Sequence, residues 1–118
     1  MVIRIGVREM TSKEKIVVGS YLDDLVNRVY KVLGLYEDEN SGLGKYLDSL
    51  LIELGGMHII SEQIATSSKY CSVIMTLASI QILIKNNEIK HSDVRSEVFK
   101  CISLIKKIKV EVSKDAKL

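Results

Sequence analysis

Residues 70–84 read Tyr-Cys-Ser-Val-Ile-Met-Thr-Leu-Ala-Ser-Ile-Gln-Ile-Leu-Ile. Apolar residues recur here at alternating intervals of three and four, which places them on one face of an α-helix. That inward stripe consists of Tyr70, Val73, Leu77, Ile80 and Ile84. The stretch holds few polar side chains, so the helix is apolar on nearly every side and we expect more than one neighbour to cover it. Met75 and Ile82 belong to the apolar surplus beyond the inward stripe.

The same spacing predicts a helix before this stretch, near the start of the chain. Thr11 and Glu14 form a capping-box pattern, so we expect the folded unit to begin at residue 11. The helix should run to about Leu33, with Gly34 as its C-terminal stop. Its inward stripe is Val18, Leu22, Leu25, Val29 and Val32.

A polar, acidic loop at residues 36–42 precedes the second predicted helix. Its inward stripe is Leu43, Leu47, Leu50, Leu54, Met57, Ser61 and Ile64. Because the stripe keeps its phase across Gly55 and Gly56, we favour one helix to about Ala65. Each glycine costs roughly 1 kcal/mol in a helix interior, so a break at the pair is the alternative.

Residues 66–68 should turn the chain into the third helix, and Asn86 and Asn87 should end it. Ser92 or Asp93 caps the fourth helix, whose stripe is Val94, Val98, Cys101, Ile105 and Ile108. Short connections favour an all-α, antiparallel, up-down-up-down four-helix bundle over residues 11–112. Residues 1–10 would form a short N-terminal arm, strand-like or disordered, and residues 113–118 a frayed tail.

Charge is uneven along the chain. Residues 1–34, 35–68 and 69–118 carry +2, −5 and +5, which gives the net charge of +2. Cys71 and Cys101 lack metal-ligand spacing, so we expect buried thiols in a reducing compartment, by default the cytoplasm. The sequence shows no signal-peptide core and no apolar run of about 18 residues, so we expect no membrane span.

Candidate catalytic and ligand sites are weak. Glu53, His58 and Glu62 form the best local metal set, but two groups at i and i+4 are common on solvated helices. The stretch Ser-Gly-Leu-Gly-Lys at residues 41–45 lacks the spacing and preceding strand of a phosphate-binding loop. No nucleophile has an evident base beside it. We therefore predict no enzyme activity, no catalytic or metal site and no cofactor.

Basic residues of the fourth helix indicate an alternative function. This helix carries Arg95, Lys100, Lys106, Lys107 and Lys109. Acidic residues are interleaved with them, and the whole chain is only weakly basic, whereas a DNA-binding domain usually shows a stronger basic patch. A nucleic-acid-binding regulator that uses this helix is therefore the second hypothesis.

Protein–protein interaction is the leading hypothesis, with a homodimer as the expected state. Gly55 and Gly56 would permit close helix approach, Met75 and Ile82 supply apolar surplus, and the acidic middle of one chain could face basic Arg95 and Lys100 of another. A small non-enzymatic protein of regulatory or inhibitor/immunity type fits these features. Abundant Ile and Lys with few aromatic residues suits a bacterial or phage source.

Overall fold

A computed structural model describes residues 11–59, 61–87 and 90–115. These residues form five α-helices and one 3₁₀ turn and include no strand, which confirms the predicted all-α class. The elements are α1 (Ser12–Glu37), α2 (Leu43–Gly55), the 3₁₀ turn (Met57–Ile59), α3 (Glu62–Ala65), α4 (Ser68–Lys85) and α5 (His91–Asp115). The predicted arm, residues 1–10, and residues 116–118 of the predicted tail lie outside the described residues.

Helix α1 begins as predicted and ends later than predicted. The Thr11 hydroxyl accepts a hydrogen bond from the Glu14 amide at 3.1 Å, and the Glu14 carboxylate accepts one from the Thr11 amide at 3.2 Å. The predicted stop at Gly34 is wrong, because the helix continues to Glu37. Leu35 and Tyr36 pack against the core, and their burial offsets the cost of one glycine inside the helix.

The second predicted helix is broken at the glycine pair, so the favoured continuous helix to Ala65 is wrong. Gly56 caps α2 through its amide, which donates to the Glu53 carbonyl at 3.0 Å. Ser61 then caps α3 by accepting from the Ile64 amide at 3.3 Å. The residues of the predicted stripe are buried despite the break, because Met57 in the 3₁₀ turn and Ile64 in α3 both reach the core.

Helices α4 and α5 follow the predicted order. Ser67 caps α4, its hydroxyl accepting from the Tyr70 amide, and Asn86 follows its last residue. Helix α5 starts at His91 instead of after a Ser92 or Asp93 cap, because the Asp93 amide already donates to the Lys90 carbonyl at 3.0 Å. It continues to Asp115, past the predicted end at Val112.

The core is built from the predicted stripes. All their residues are buried except Ile84, which is half-buried. Cys101 is buried as expected, but the prediction for Cys71 is wrong, because its position on α4 turns it to solvent. Among the described residues no helix is both long and apolar enough to cross a membrane.

Each of the four long helices packs against two of the others. Helices α1 and α4 each pack against both α2 and α5. Polar contacts join early residues of one helix to late residues of the next. Lys109 of α5 pairs with Asp23 of α1 at 2.5 Å, and Lys69 of α4 pairs with Glu111 of α5 at 2.5 Å.

Candidate interaction surface

The outward side of α4 is apolar and uncharged over most of its length. No charged residue occurs between Tyr70 and Ile84, a length of about four helical turns. Its exposed residues are Cys71, Met75, Ser79 and Ile82, which we call the α4 face. Met75 is 69% exposed and Ile82 is 58% exposed. A scattered exposed apolar side chain is ordinary, but a helix face that lacks charge over about four turns is typical of an interaction site.

A groove of about 610 Å³ runs between the α4 face and α5. Apolar side chains, among them Met75 and Leu104, and the hydroxyl groups of Ser72, Thr76 and Ser79 line it. Asp93, Glu97 and Lys100 line its α5 side, which we call the charged rim. Two predicted site residues, Met75 and Lys100, therefore meet in one groove although they lie on different helices.

The glycine pair lies elsewhere. The Leu54 carbonyl accepts a hydrogen bond from the Tyr70 hydroxyl at 2.6 Å, so the end of α2 lies beside the first turn of α4. A Cβ atom added at Gly55 would meet nothing within 4 Å, and one added at Gly56 would have only the Glu53 carbonyl at 3.4 Å. The two glycines end α2 and do not bring two helices of this chain close together.

The basic residues of α5 divide among separate places. Lys100 belongs to the charged rim, and Lys109 is paired with Asp23 of α1. The Arg95 guanidinium lies 5.5 Å from the centre of the Phe99 ring. Only Lys106 and Lys107 lie together, in a shallow depression of about 630 Å³ that Tyr30, Phe99 and Val110 also line. We call these five residues the basic–aromatic surface.

No pattern in the sequence indicated that Tyr30 of α1 would join this surface. Its ring meets that of Phe99 edge to face, with centroids 5.9 Å apart and planes at 81°. Tyr30 and Phe99 are exposed aromatic residues on different helices, and only the packing of α1 on α5 brings them together. Spacing within one helix could not reveal such a pair.

A polar cluster between α1 and α2 accounts for Glu53 of the predicted metal set. Arg28 binds its carboxylate with both terminal nitrogens, and the Tyr21 hydroxyl donates to it at 2.6 Å. These hydrogen bonds, chiefly that from Arg28, lower the pKa of Glu53. Burial, reinforced by Glu53, raises the pKa of Tyr21 to about 12. The cluster joins the two helices and leaves Glu53 poorly suited to act as a base.

The remaining reactive groups show no catalytic arrangement. Burial raises the pKa of the Cys101 thiol to about 12, which keeps it protonated near neutral pH. His91 lies 2.8 Å from Glu37 and stacks on Tyr36, where it joins the start of α5 to the end of α1. The side chain of His58 lies outside the described part of the chain. Among the described residues no three His, Cys, Asp or Glu side chains are grouped to hold a metal ion.

The chain matches no known family model, no curated protein sequence and no solved structure. Its function must therefore be inferred from its own surfaces.

Proposed function

We propose that this chain is a non-enzymatic protein that acts through protein–protein contact and forms a homodimer through the α4 face. The observation that supports this most directly is the uncharged outward side of α4, where Met75 and Ile82 are exposed. A regulatory protein or one of inhibitor/immunity type, from a bacterium or phage, fits a small helical domain of this kind. Two free cysteines are compatible with the reducing cytoplasm as its location.

The proposed architecture is an antiparallel, up-down-up-down four-helix bundle of α1, α2, α4 and α5. Contacts along α1 and α5 support it, because Lys109 pairs with Asp23 at one end and His91 with Glu37 at the other. The hydrogen bonds of Tyr70 with Leu54 and of Gln81 with Asp48 support antiparallel packing of α2 and α4, because a later residue of α4 contacts an earlier residue of α2. Helix α3 then serves as part of the connection.

A second copy is the occupant that best suits the α4 face. In a two-fold dimer the same patch contributes to both sides of the interface. Because the α4 face has no charge, two copies can be buried against each other without repulsion or the removal of an ion from water. The basic–aromatic surface lacks this property, since Lys106 and Lys107 would face their own copies.

This arrangement replaces the predicted contact between an acidic middle segment and basic α5. Glu53 binds Arg28 and Glu37 binds His91 within the chain, so part of that acidic charge already has a partner. A head-to-tail contact between two different patches also leaves one patch unoccupied at each end of the assembly unless it closes into a ring. Two copies of the α4 face, in contrast, cover each other and form a closed dimer.

Sedimentation equilibrium at micromolar concentration tests the proposal. We expect the wild type to give twice the monomer mass of 13.2 kDa. Ile82→Lys should give a monomer with unchanged far-UV helicity. Ile52→Lys is the matched control, because Ile52 is 78% exposed on α2, and it should remain a dimer. A monomeric wild type, or loss of the dimer in both variants, would contradict the proposed interface.

Nucleic-acid binding remains the second candidate, and the basic–aromatic surface is the observation that favours it. Exposed aromatic rings beside lysines are typical of surfaces that stack bases and contact phosphates. A salt titration with duplex and single-stranded oligonucleotides separates the two functions. Binding that weakens steeply with salt and is lost in a Lys106→Glu/Lys107→Glu variant would favour this candidate. Absence of binding at low salt would reject it.

A further inference from the structure

The register between α4 and α5 can be read from two contacts. Lys69 pairs with Glu111, and the Cys101 thiol lies 3.9 Å from the Val73 carbonyl. Moving forward along α4 therefore corresponds to moving backward along α5, with the same rise per residue in both helices. The first contact sets residues 78–79 of α4 level with residues 101–102 of α5, and the second sets them level with residues 95–96. Their mean lies at residues 98–99, and the groove, lined by residues 72–83 of α4 and 93–104 of α5, is centred within one residue of that level.

Side chains on both helices are arranged symmetrically about this level. Met75 and Ile82 lie at equal sequence distances on either side of residues 78–79, where the small side chains of Ala78 and Ser79 lie between them. Glu97 and Lys100 lie at equal distances on either side of residues 98–99, and both belong to the charged rim. The apolar pair on α4 and the pair of opposite charges on α5 are therefore centred at the same level along the two helices.

A two-fold axis across the groove at this midpoint, perpendicular to both helices, brings each pair together. It sets α4 antiparallel to the partner's α4 and α5 antiparallel to the partner's α5. Met75 then packs on the partner's Ile82, with the small side chains of residues 78 and 79 allowing close approach at the centre. Glu97 faces the partner's Lys100, and the two-fold axis generates the same ion pair a second time.

We infer that the dimer has this antiparallel register and that the reciprocal Glu97–Lys100 pairs fix it. The inference rests on the proposed function, since it requires the α4 face to be the interface. Among the described residues neither Glu97 nor Lys100 forms an ion pair within its own chain, so both charges are available to a second copy. The charged rim thus supplies the specificity that the uncharged α4 face lacks.

The competing arrangement has its two-fold axis parallel to the helices. It would place α5 against the partner's α2, so that Glu97 and Lys100 would no longer face each other. Both charges would then lose water at the edge of the interface without gaining the reciprocal pair. The antiparallel register is favoured for this reason.

A charge-reversal cycle in the full chain tests the inference. Glu97→Lys and Lys100→Glu each set like charges against each other twice in the dimer, so we expect each to raise the dimer Kd by at least about tenfold. The combined Glu97→Lys/Lys100→Glu variant restores opposite charges and should return the Kd to within about threefold of wild type. Lys106→Glu is the matched control, because Lys106 is exposed on a different side of α5 from Glu97 and Lys100 and lies outside the groove, so it should leave the Kd nearly unchanged.

The outcomes separate the register from the proposed function. A monomeric wild type would overturn both. A wild-type dimer that Ile82→Lys disrupts, but whose Kd is insensitive to the single reversals or stays weakened in the double variant, would overturn the register and leave the α4 face as the interface. Weakening by each single reversal with recovery in the double variant supports the inference.

Discussion

Helices α4 and α5 pack against each other with similar inward sides and contrasting outward sides. Both bury apolar residues at alternating intervals of three and four. Outward, α4 exposes Met75 and Ile82 without any charge, whereas α5 exposes Lys106 and Lys107 beside aromatic rings. The inward sides specify the fold, and burial restricts the residues of both to apolar side chains at helical spacing. The outward sides are free of that constraint, so their difference carries information about function.

The inward side of α4 should show the largest effect on stability. Leu77 is fully buried, and Leu77→Ala should lower the free energy of unfolding by about 2–5 kcal/mol through lost burial and a residual cavity. Lys85→Ala, at the exposed end of the same helix, should change it by less than about 0.5 kcal/mol. Chemical denaturation measures both values. Equal effects would mean that the inward and outward sides of α4 are wrongly assigned.

A charged side chain on the outward side of α4 should weaken the proposed dimer. Ser79→Lys places an ammonium group near the proposed two-fold axis in both copies, so we expect the dimer Kd to rise about 100-fold, equivalent to about 2.8 kcal/mol. Ser103→Lys adds the same group to the exposed side of α5, where it should not affect the Kd. Analytical ultracentrifugation over a concentration series measures the difference. A similar Kd for both variants would indicate that the α4 face is not at the interface.

Spacing predicted most of the fold because burial repeats with the helical period. The stripes, the Thr11 cap and the order of the long helices all follow from local patterns. Spacing failed at the glycines, because whether Gly34 or Gly55 ends a helix depends on tertiary packing and on the next available cap. Leu35 and Tyr36 extend α1 past the first, and Ser61 starts a new helix after the second.

The candidate site was predictable only in part. The surplus apolar residues Met75 and Ile82 were visible in the periodicity of one helix. The groove and the basic–aromatic surface each combine residues of two helices, and the sequence alone does not give the register between those helices. The prediction for Cys71 failed because this residue follows the inward Tyr70, and the packing of the neighbouring helices decides whether such a residue is buried or exposed.

The polar cluster between α1 and α2 shares no residue with the α4 face or the basic–aromatic surface, and it should govern a smaller, acid-sensitive part of stability. Arg28 and Tyr21 lower the pKa of Glu53 below its ordinary value of 4.5. A lowered pKa in the folded state stabilises the protein above the ordinary value, and this contribution is lost as pH falls through the folded pKa. In the Glu53→Gln variant the free energy of unfolding should therefore fall less than in the wild type when the pH is lowered below about 5. Denaturation across pH 3–7 measures it, and an unchanged pH dependence would contradict the role of the cluster.

Gly55 should give the smallest effect. It lies outside the α4 face, and a Cβ atom there meets nothing within 4 Å. Gly55→Ala should raise the free energy of unfolding by about 0.4–1 kcal/mol, since alanine has fewer conformations to lose on folding. The dimer Kd should not change. A weakened dimer would indicate that the glycine pair lies at the interface and that the α4 face is not the whole contact surface.

Disulfide trapping tests the α4 interface most directly. Ser79 lies beside the proposed two-fold axis, so Ser79→Cys in a Cys71→Ser background should form a disulfide-linked dimer under mild oxidation at micromolar concentration. Ser103→Cys in the same background places an exposed thiol on α5 and should stay monomeric on a non-reducing gel. Rapid, selective cross-linking through residue 79 is the expected result. No cross-link at residue 79, or equal cross-linking at residue 103, would contradict a dimer built on the α4 face.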